Sequence, residues 1–307
     1  MKDSKQNLWG IDVGGTKIEG AILKSAGDPE VLFRDRLPTG GDLGYDHVLS
    51  QIGKVIEKME DKMGYKPKLI GIGTPGTLDP RLRTMKNSNT ICLNGRYLKA
   101  DLEKLLDLEI RMANDANCFA LAEANMGIAK EKFPNAKVVF GVILGTGVGG
   151  GVVVDGKVIN GLQGIGGEWG HNFLDASGGL CYCGKVGCVE KVLAGPSLER
   201  YYQEVSGVKK SLRDIYQSYK DGNDKHATKT IERLVHFFGI ALSVVINILD
   251  PDVIVIGGGV GNIDVIYTDG VAALTKNVFN SCRLDTPVLR PKLGDSAGVF
   301  GAAFLVN

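Results

Sequence analysis

One plan of residues occurs twice in this 307-residue chain. Leu8 to Leu23, LWGIDVGGTKIEGAIL, reads as an apolar strand, a turn on Gly14-Gly15-Thr16 and a second apolar strand. Val138 to Val154, VVFGVILGTGVGGGVVV, repeats the order with its turn on Gly145-Thr146-Gly147. Apolar runs flanking glycine turns predict a β-hairpin at each place. Further turn residues, Gly27-Asp28-Pro29 and Asp155-Gly156, allow a third strand to return in each copy. A hairpin used twice implies two domains of like topology. Between the copies, Tyr45, Val48, Leu49, Ile52, Val55, Ile56 and Met59 recur at helical spacing, and KLIGIG from Lys68 to Gly73 reads as a buried strand. Ile110 to Ala113 is a short strand leading into a helix from Asn114 to Met126. Asp252 to Gly259, DVIVIGGG, is a last buried strand after the helix-stopping Asp250-Pro251. The expectation is an α/β protein of two sheets with helices and a cleft between the domains. The smaller domain is expected over 1–113 with a C-terminal helix at about 296–307, and the larger over 114–295.

Composition narrows the function. Hydrophobic residues make up 44% and charged residues 23%, and the formal charge is +1, so there is no basic field for nucleic acid. The start, MKDSKQNLWG, lacks the apolar core of an export signal. The apolar run Leu234 to Leu249 is shorter than the ~20 residues of a membrane span and is expected as a buried helix. Six cysteines without an export signal fit a reducing cytoplasm, where clustered cysteines point to metal.

Glycine turns let backbone N–H groups converge without Cβ obstruction, which suits phosphate oxygens, and the hydroxyls of Thr16 and Thr146 add donors. A plain tight turn explains either loop taken alone. Two related loops, one per domain, favour a polyphosphate, while neither the P-loop pattern nor the dinucleotide fingerprint is present. Asp12 at a strand end is placed to hold Mg²⁺ or to accept turn N–H bonds. Asn114-Asp115 lies at a strand-to-helix corner, where the pair reads as a helix cap or as chemistry. Phosphoryl transfer to an alcohol needs a carboxylate to take the proton, and Asp115 is the best placed.

Gly167 to Glu190, GEWGHNFLDASGGLCYCGKVGCVE, holds Cys181, Cys183 and Cys188 at C-x-C-x₄-C spacing, with His171 ten residues upstream. Three thiolates and one imidazole make a closed tetrahedral zinc set, which is structural because no position stays open. A disulfide would leave one cysteine idle. Glu168 and Glu190 flank the set, so a loop folded on zinc would aim both carboxylates at the cleft. Cys92, Cys118 and Cys282 are expected in the core. His47, His226 and His236 are expected at the surface or in the core, and Lys17 fits a solvated strand start as well as a phosphate contact.

The run of motifs, DVGGTK at Asp12 to Lys17, GIGTPG at Gly71 to Gly76, NDAN at Asn114 to Asn117, LGTGVGGG, GEWGH, CYCGKVGCVE and VIVIGGG, resembles the ROK family of bacterial sugar kinases and repressors over essentially the whole chain. The resemblance implies a ribonuclease H-like, actin- and hexokinase-type two-domain ATPase fold with an interdomain cleft. It implies Asp115 as the base acting on a sugar hydroxyl, usually O6. Asn114, Glu168, His171 and Glu190 match sugar-binding residues, as do Gly76 and Asn89 from the smaller domain. Asp12, Gly14, Gly15, Thr16 and Lys17, with Gly145, Thr146 and Gly147, match the ATP and Mg²⁺ loops, and Gly258-Gly259 the turn beside the nucleotide. NTICLNG and NILDPDVIVIGGG are similar to the fructokinase and mannokinase branch, which makes a hexose kinase of fructokinase, mannokinase or glucokinase type the expectation. GVILGTGVGGG is equally similar to N-acetylglucosamine kinases, so an N-acetylglucosamine or N-acetylmannosamine kinase is the alternative. The family's repressors carry an N-terminal helix-turn-helix; with seven residues before the first strand, no such DNA-binding domain is expected. A sugar-sensing regulator without catalysis would have lost Asp115 or a phosphate hairpin, and both are present. ATP, Mg²⁺ and structural Zn²⁺ are the expected cofactors, with a hexose as partner, no nucleic acid or membrane, and a homodimer as the assembly.

Overall fold

The computed structural model describes residues 7–307; the start of the expected signal-free N-terminus, residues 1–6, lies outside the described residues. In chain order the elements begin β1 (Leu8–Val13), β2 (Lys17–Ser25), β3 (Asp28–Pro38), α1 (Tyr45–Met63), β4 (Leu69–Thr74), β5 (Thr77–Leu78), β6 (Met85–Lys86), α2 (Leu98–Leu106), β7 (Glu109–Asn114), α3 (Asp115–Asn125) and α4 (Ile128–Lys132). They continue with β8 (Val138–Leu144), β9 (Val148–Val154), β10 (Lys157–Val158), α5 (Val189–Leu193), α6 (Gly195–Ser206), α7 (Leu212–Lys220) and α8 (Lys225–Leu249). The last are β11 (Val253–Gly257), α9 (Asp269–Asn277), β12 (Val288–Leu289) and α10 (Ala297–Phe304).

The chain forms two compact units, one of Met1–Asn135, Gly151–Gly167 and Lys292–Asn307, the other of Ala136–Gly150 and Glu168–Pro291. In the first, the sheet order is β3-β2-β1-β4-β7. The antiparallel hairpin of β1 and β2 runs in register from Leu8↔Leu23 to Val13↔Ile18. β1, β4 and β7 are parallel, with Asp12 beside Gly73 and Gly73 beside Ala113. That register brings Asp12 and the β7–α3 corner to one edge of the sheet, the carboxyl ends where α/β folds bind ligands.

The core of this unit is made by the residues whose spacing announced it. Val48, Ile52, Val55, Ile56 and Met59 bury one face of α1 against Trp9, Ile11, Ile22, Ile70 and Ile72. Each such side chain contributes about 1.5–3 kcal/mol relative to exposure. α10 lies on the sheet and on α3, and glycines allow the approach. A Cβ on Gly10 or Gly71 would run into the backbone at Ala302–Ala303, and one on Gly301 into the Cys118 carbonyl. The fully buried Glu123 of α3 accepts N–H bonds from Ile128, Lys292 and Leu293, which ties the start of α4 and the returning chain to α3.

Residues 114–135 and 151–167, expected with the larger domain, lie in the first unit. The reason is packing: α3 rests on α10, and Gly151 is pressed so close to α3 that a Cβ would sit 2.6 Å from the Ala116 carbonyl oxygen.

The second unit is helical around β8, β11 and β12, with β8 and β11 parallel from Val139↔Val253 to Ile143↔Gly257. The sheet these strands belong to has the order β10-β9-β8-β11-β12, and the chain changes unit within β9. α8 runs 25 residues, starting well before the apolar run, because Asp224 caps it through Oδ1 on the N–H groups of His226 and Ala227. By length and composition it could cross a membrane, yet it buries Ile231, Leu234, Phe238 and Leu242. Gly239 packs so tightly on Ala273 and Leu274 of α9 that it has no room for a side chain.

Candidate active site

In the first unit the Gly14-Gly15-Thr16 turn closes by Gly14 N–H to the Lys17 carbonyl at 2.8 Å. The buried Thr39 holds it from behind, its hydroxyl donating to the Gly14 carbonyl at 2.6 Å and its N–H to the Thr16 carbonyl at 3.0 Å. Thr39 was missed in the sequence, although the Thr39-Gly40-Gly41 run marks a second loop. Gly15, Thr16, Gly40, Gly41 and Asn89 line one cavity of about 770 Å³, which unites an expected sugar contact with an expected phosphate loop. Gly76 has φ +86° and packs on the backbone of Ser88, next to Asn89. Lys17, left open above, lies 3.0 Å from Glu19 Oε2. Glu19 is buried and also takes a bond from the Arg34 guanidinium. Burial works to raise its pKa, but Arg34 and Lys17 outweigh it and hold the carboxyl below its usual range.

Asp12 sits where Gly73 and Gly298 leave space, a Cβ on Gly298 falling 2.6 Å from Asp12 Oδ2. Gly298 was another unforeseen contributor. Burial, then the charges of Asp115 and Glu19, push the Asp12 pKa up to about 7 against the pull of Lys17. This surplus of negative charge fits a divalent cation, which would relieve it.

Asn114 caps α3, its Oδ1 accepting the Asn117 N–H at 2.8 Å. The cap and chemistry readings of the corner therefore separate, because Asn114 does the capping and leaves Asp115 as the first helical residue. Asp115 Oδ1 accepts the Ala116 N–H at 2.8 Å. Surrounding protein raises its pKa, offset only in part by backbone N–H groups, and the residue is exposed. Cys118, fully buried beside Gly73, is a core thiol whose pKa burial pushes well up. Cys92 is half-buried, whereas Cys282, expected in the core, is exposed at φ +55° in the loop after α9.

In the second unit the Gly145-Thr146-Gly147 turn closes by Gly145 N–H to the Gly147 carbonyl at 2.9 Å, and Gly195 at the start of α6 donates to the Gly145 carbonyl at 2.9 Å. Gly258, at φ +85°, packs against the Leu144 carbonyl and so stands beside this turn, followed by Gly259. Glu190, expected as a sugar ligand, reaches the hairpin: its Oε2 accepts the Val148 N–H at 3.1 Å. Glu168 precedes the short 3-10 turn Trp169–His171 and has a partner of its own.

His171, Cys181, Cys183 and Cys188 converge, with all four ligand atoms within 4.8 Å of one another. Cys183 Sγ is 3.6 Å from Cys188 Sγ, and Cys181 Sγ is 3.7 Å from His171 Nδ1. Tetrahedral zinc with bonds of ~2.3 Å to sulfur and ~2.0 Å to nitrogen separates its ligands by roughly 3.5–3.8 Å, so the set fits that metal. Glycines shape the loop, with Gly184 at φ +86° and Gly187 at φ +77°. His171 Nε2, expected to reach the sugar, lies 2.9 Å from the Tyr182 hydroxyl. Partial burial of that hydroxyl, with the charge of Glu190 next, pushes the Tyr182 pKa up to about 12.

An N-acetyl-D-glucosamine kinase of Escherichia coli is 35% identical over 307 residues, 97% of this chain and 98% of that one. The ROK hexokinase of Thermus thermophilus superimposes with a TM-score of 0.87 at 30% identity, over 98% of this chain and 97% of the other. A ROK glucokinase from Streptomyces griseus, solved with glucose and AMPPNP, gives 0.76 at 25% identity over 98% and 99%. The fold is therefore the two-domain actin-like ATPase fold of the ROK hexokinases. The ROK family description matches residues 8–307, and the chain belongs to the ROK family.

Proposed function

We propose that this chain, an ATP-dependent sugar kinase of the ROK family, transfers the terminal phosphoryl group of ATP to the 6-hydroxyl of a hexose. The observation that carries this reading is Asp115, an exposed carboxylate at the carboxyl edge of a parallel sheet, freed from capping by Asn114. It takes the proton from the sugar hydroxyl as the oxygen attacks phosphorus, and the bond to the ADP oxygen breaks. Asn114, Glu168, His171 and Glu190, with Gly76 and Asn89, hold the sugar. Carboxylates and amides suit vicinal hydroxyls, which donate and accept together. Gly14 and Gly145 close the two turns with their own N–H groups, the backbone N–H groups of Gly15 and Thr16 and of Thr146 and Gly147 hold phosphate oxygens, Lys17 adds a cation, and Gly258 and Gly259 border the nucleotide. Mg²⁺ held by Asp12 would neutralise charge on the phosphates. His171, Cys181, Cys183 and Cys188 would hold zinc, which would fix the loop that carries Glu168 and Glu190.

The likeness to the T. thermophilus hexokinase supports an unsubstituted hexose. N-acetylglucosamine is the second reading, favoured by the 35% identity to the E. coli kinase. Use of ATP and six free cysteines suit the cytoplasm, and the assembly that goes with the family is a homodimer. A coupled ADP assay with Mg-ATP and glucose, mannose, fructose or N-acetylglucosamine tests the proposal. Turnover with a free hexose is expected. Tight sugar binding without turnover on any of the four would make the chain a sugar-sensing regulator, and a dominant kcat/KM for N-acetylglucosamine would select the second reading.

A further inference from the structure

Tyr182 stands between the first two cysteines of the cluster, at the tip of a tight turn. That turn is closed by Gly184 N–H to the Cys181 carbonyl at 3.0 Å and Cys181 N–H to the Lys185 carbonyl at 2.8 Å. Its side chain is 75% exposed, yet it is held in one place. The ring meets the His171 imidazole edge-on, with centroids 5.1 Å apart at 88°, and the hydroxyl is 2.9 Å from Nε2. Nδ1 is the nitrogen that faces the cysteines; with zinc held there, Nε2 would carry the proton and donate to the phenol oxygen. The imidazole nitrogen proposed for a sugar hydroxyl is therefore within hydrogen-bond reach of a tyrosine hydroxyl.

We infer that Tyr182 is a displaceable stand-in for a sugar hydroxyl, holding His171 Nε2 in the free enzyme and yielding it to the substrate. The inference rests on the sugar-kinase reading and on the role of His171 within it. A phenol and a sugar hydroxyl both donate and accept at the same distances, so one can replace the other without leaving the imidazole unpaired. The exchange has two consequences. His171 contributes to sugar affinity only by the difference between two similar bonds. A sugar lacking the matching hydroxyl fails to displace the tyrosine, so the cap sharpens selection among sugars. High exposure of the ring is what makes the movement cheap, since little packing is lost when it swings out. A tyrosine serving only to orient a zinc ligand would instead stay put.

The experiment compares zinc-loaded wild type, Tyr182→Phe and Tyr182→Ala. Calorimetric Kd for the best hexose, KM for sugar and for ATP, and bound zinc per chain are measured for each. Tyr182→Phe is expected to lower the sugar Kd and KM about two- to tenfold, the worth of one neutral hydrogen bond, with a much smaller effect on the KM for ATP and zinc retained. Tyr182→Ala is expected to act in the same direction. Unchanged or weaker sugar binding in both variants with zinc retained overturns the inference. Loss of zinc from Tyr182→Phe also overturns it, since the hydroxyl would then be a fixed support of the metal ligand. A wild type that neither binds nor phosphorylates any sugar overturns the kinase reading beneath it.

Discussion

The hairpin of Gly14-Gly15-Thr16 and the hairpin of Gly145-Thr146-Gly147 share a backbone plan and differ in surroundings. The first is set among charges: Asp12 before it, Lys17 after it, and the buried Glu19 with Arg34 one step further. The second has no ionisable residue in its turn and meets the carboxylate of Glu190, two residues past the last cysteine of the His171 and cysteine cluster. The glycines also serve different ends. None of the hairpin glycines has a positive φ, so space rather than a left-handed backbone decides them. A Cβ on Gly15 would meet nothing nearer than Thr90 Oγ1 at 3.9 Å, whereas one on Gly147 would lie 2.7 Å from Glu190 Oε2. A repeated backbone thus supplies N–H donors twice, while charge is supplied once. The second copy is instead tied by Glu190 to the segment that follows the cysteine cluster.

That contrast can be broken experimentally, starting with the charged copy. Asp12→Asn is expected to lower kcat/KM for Mg-ATP by about 100-fold or more, because it removes the group proposed to hold the cation that stabilises transferring charge. Steady-state kinetics over a range of Mg²⁺ checks it, and no change would place the cation elsewhere. Removal of zinc by a chelator should weaken sugar binding about tenfold and lower the Tm, since Cys188 and Glu190 lie at the start of one short helix. Calorimetry on stripped protein reads both, and unchanged sugar affinity would cut the link between metal and site. Gly147→Ala must shift Glu190, and is expected to raise the KM for sugar and for ATP together, by several-fold each. Gly15→Ala has room in the free protein, so its stability should stay within about 0.5 kcal/mol, and any effect should fall on the KM for ATP alone.

The smallest expected effect concerns the helix cap of the second unit. The Tyr202 hydroxyl, then the Lys210 ammonium, hold the Asp224 pKa well below its ordinary 3.8. A carboxyl depressed in the folded state stabilises above about pH 4 and loses that contribution as pH falls through the lowered pKa. Asp224→Ala should therefore cost about 1–2 kcal/mol at neutral pH, and less towards pH 2. Thermal melts of both proteins across that range test the sign.

Much of this was legible in the sequence because it is local. The strand-turn-strand runs gave both hairpins, the Asn114-Asp115 corner showed where β7 meets α3, and C-x-C-x₄-C spacing picked out donors that converge. Contacts between distant segments were not legible. Glu190 meets Val148 across 42 residues, Thr39 meets Gly14 across 25, and Gly298 makes room for Asp12 from the far end of the chain. No periodicity encodes such pairs. Residues 114–135 read as the start of a second domain because a strand-helix boundary resembles a domain boundary in sequence. Only the packing of α3 on α10 and of Gly151 on α3 assigns them to the first unit. Nothing in the sequence distinguishes Tyr182 beyond its place between two cysteines, and its bond to His171 depends on how the loop curls at Gly184.

Asp115 is proposed to accept a sugar proton during phosphoryl transfer. Its most direct test is Asp115→Asn, with sugar Kd by calorimetry and kcat by ADP release from the same preparation. The amide keeps the shape and loses the basicity. A sugar Kd within about threefold of wild type and a kcat lower by about 10²–10⁴-fold are expected. A variant that retains most of its kcat would contradict that role.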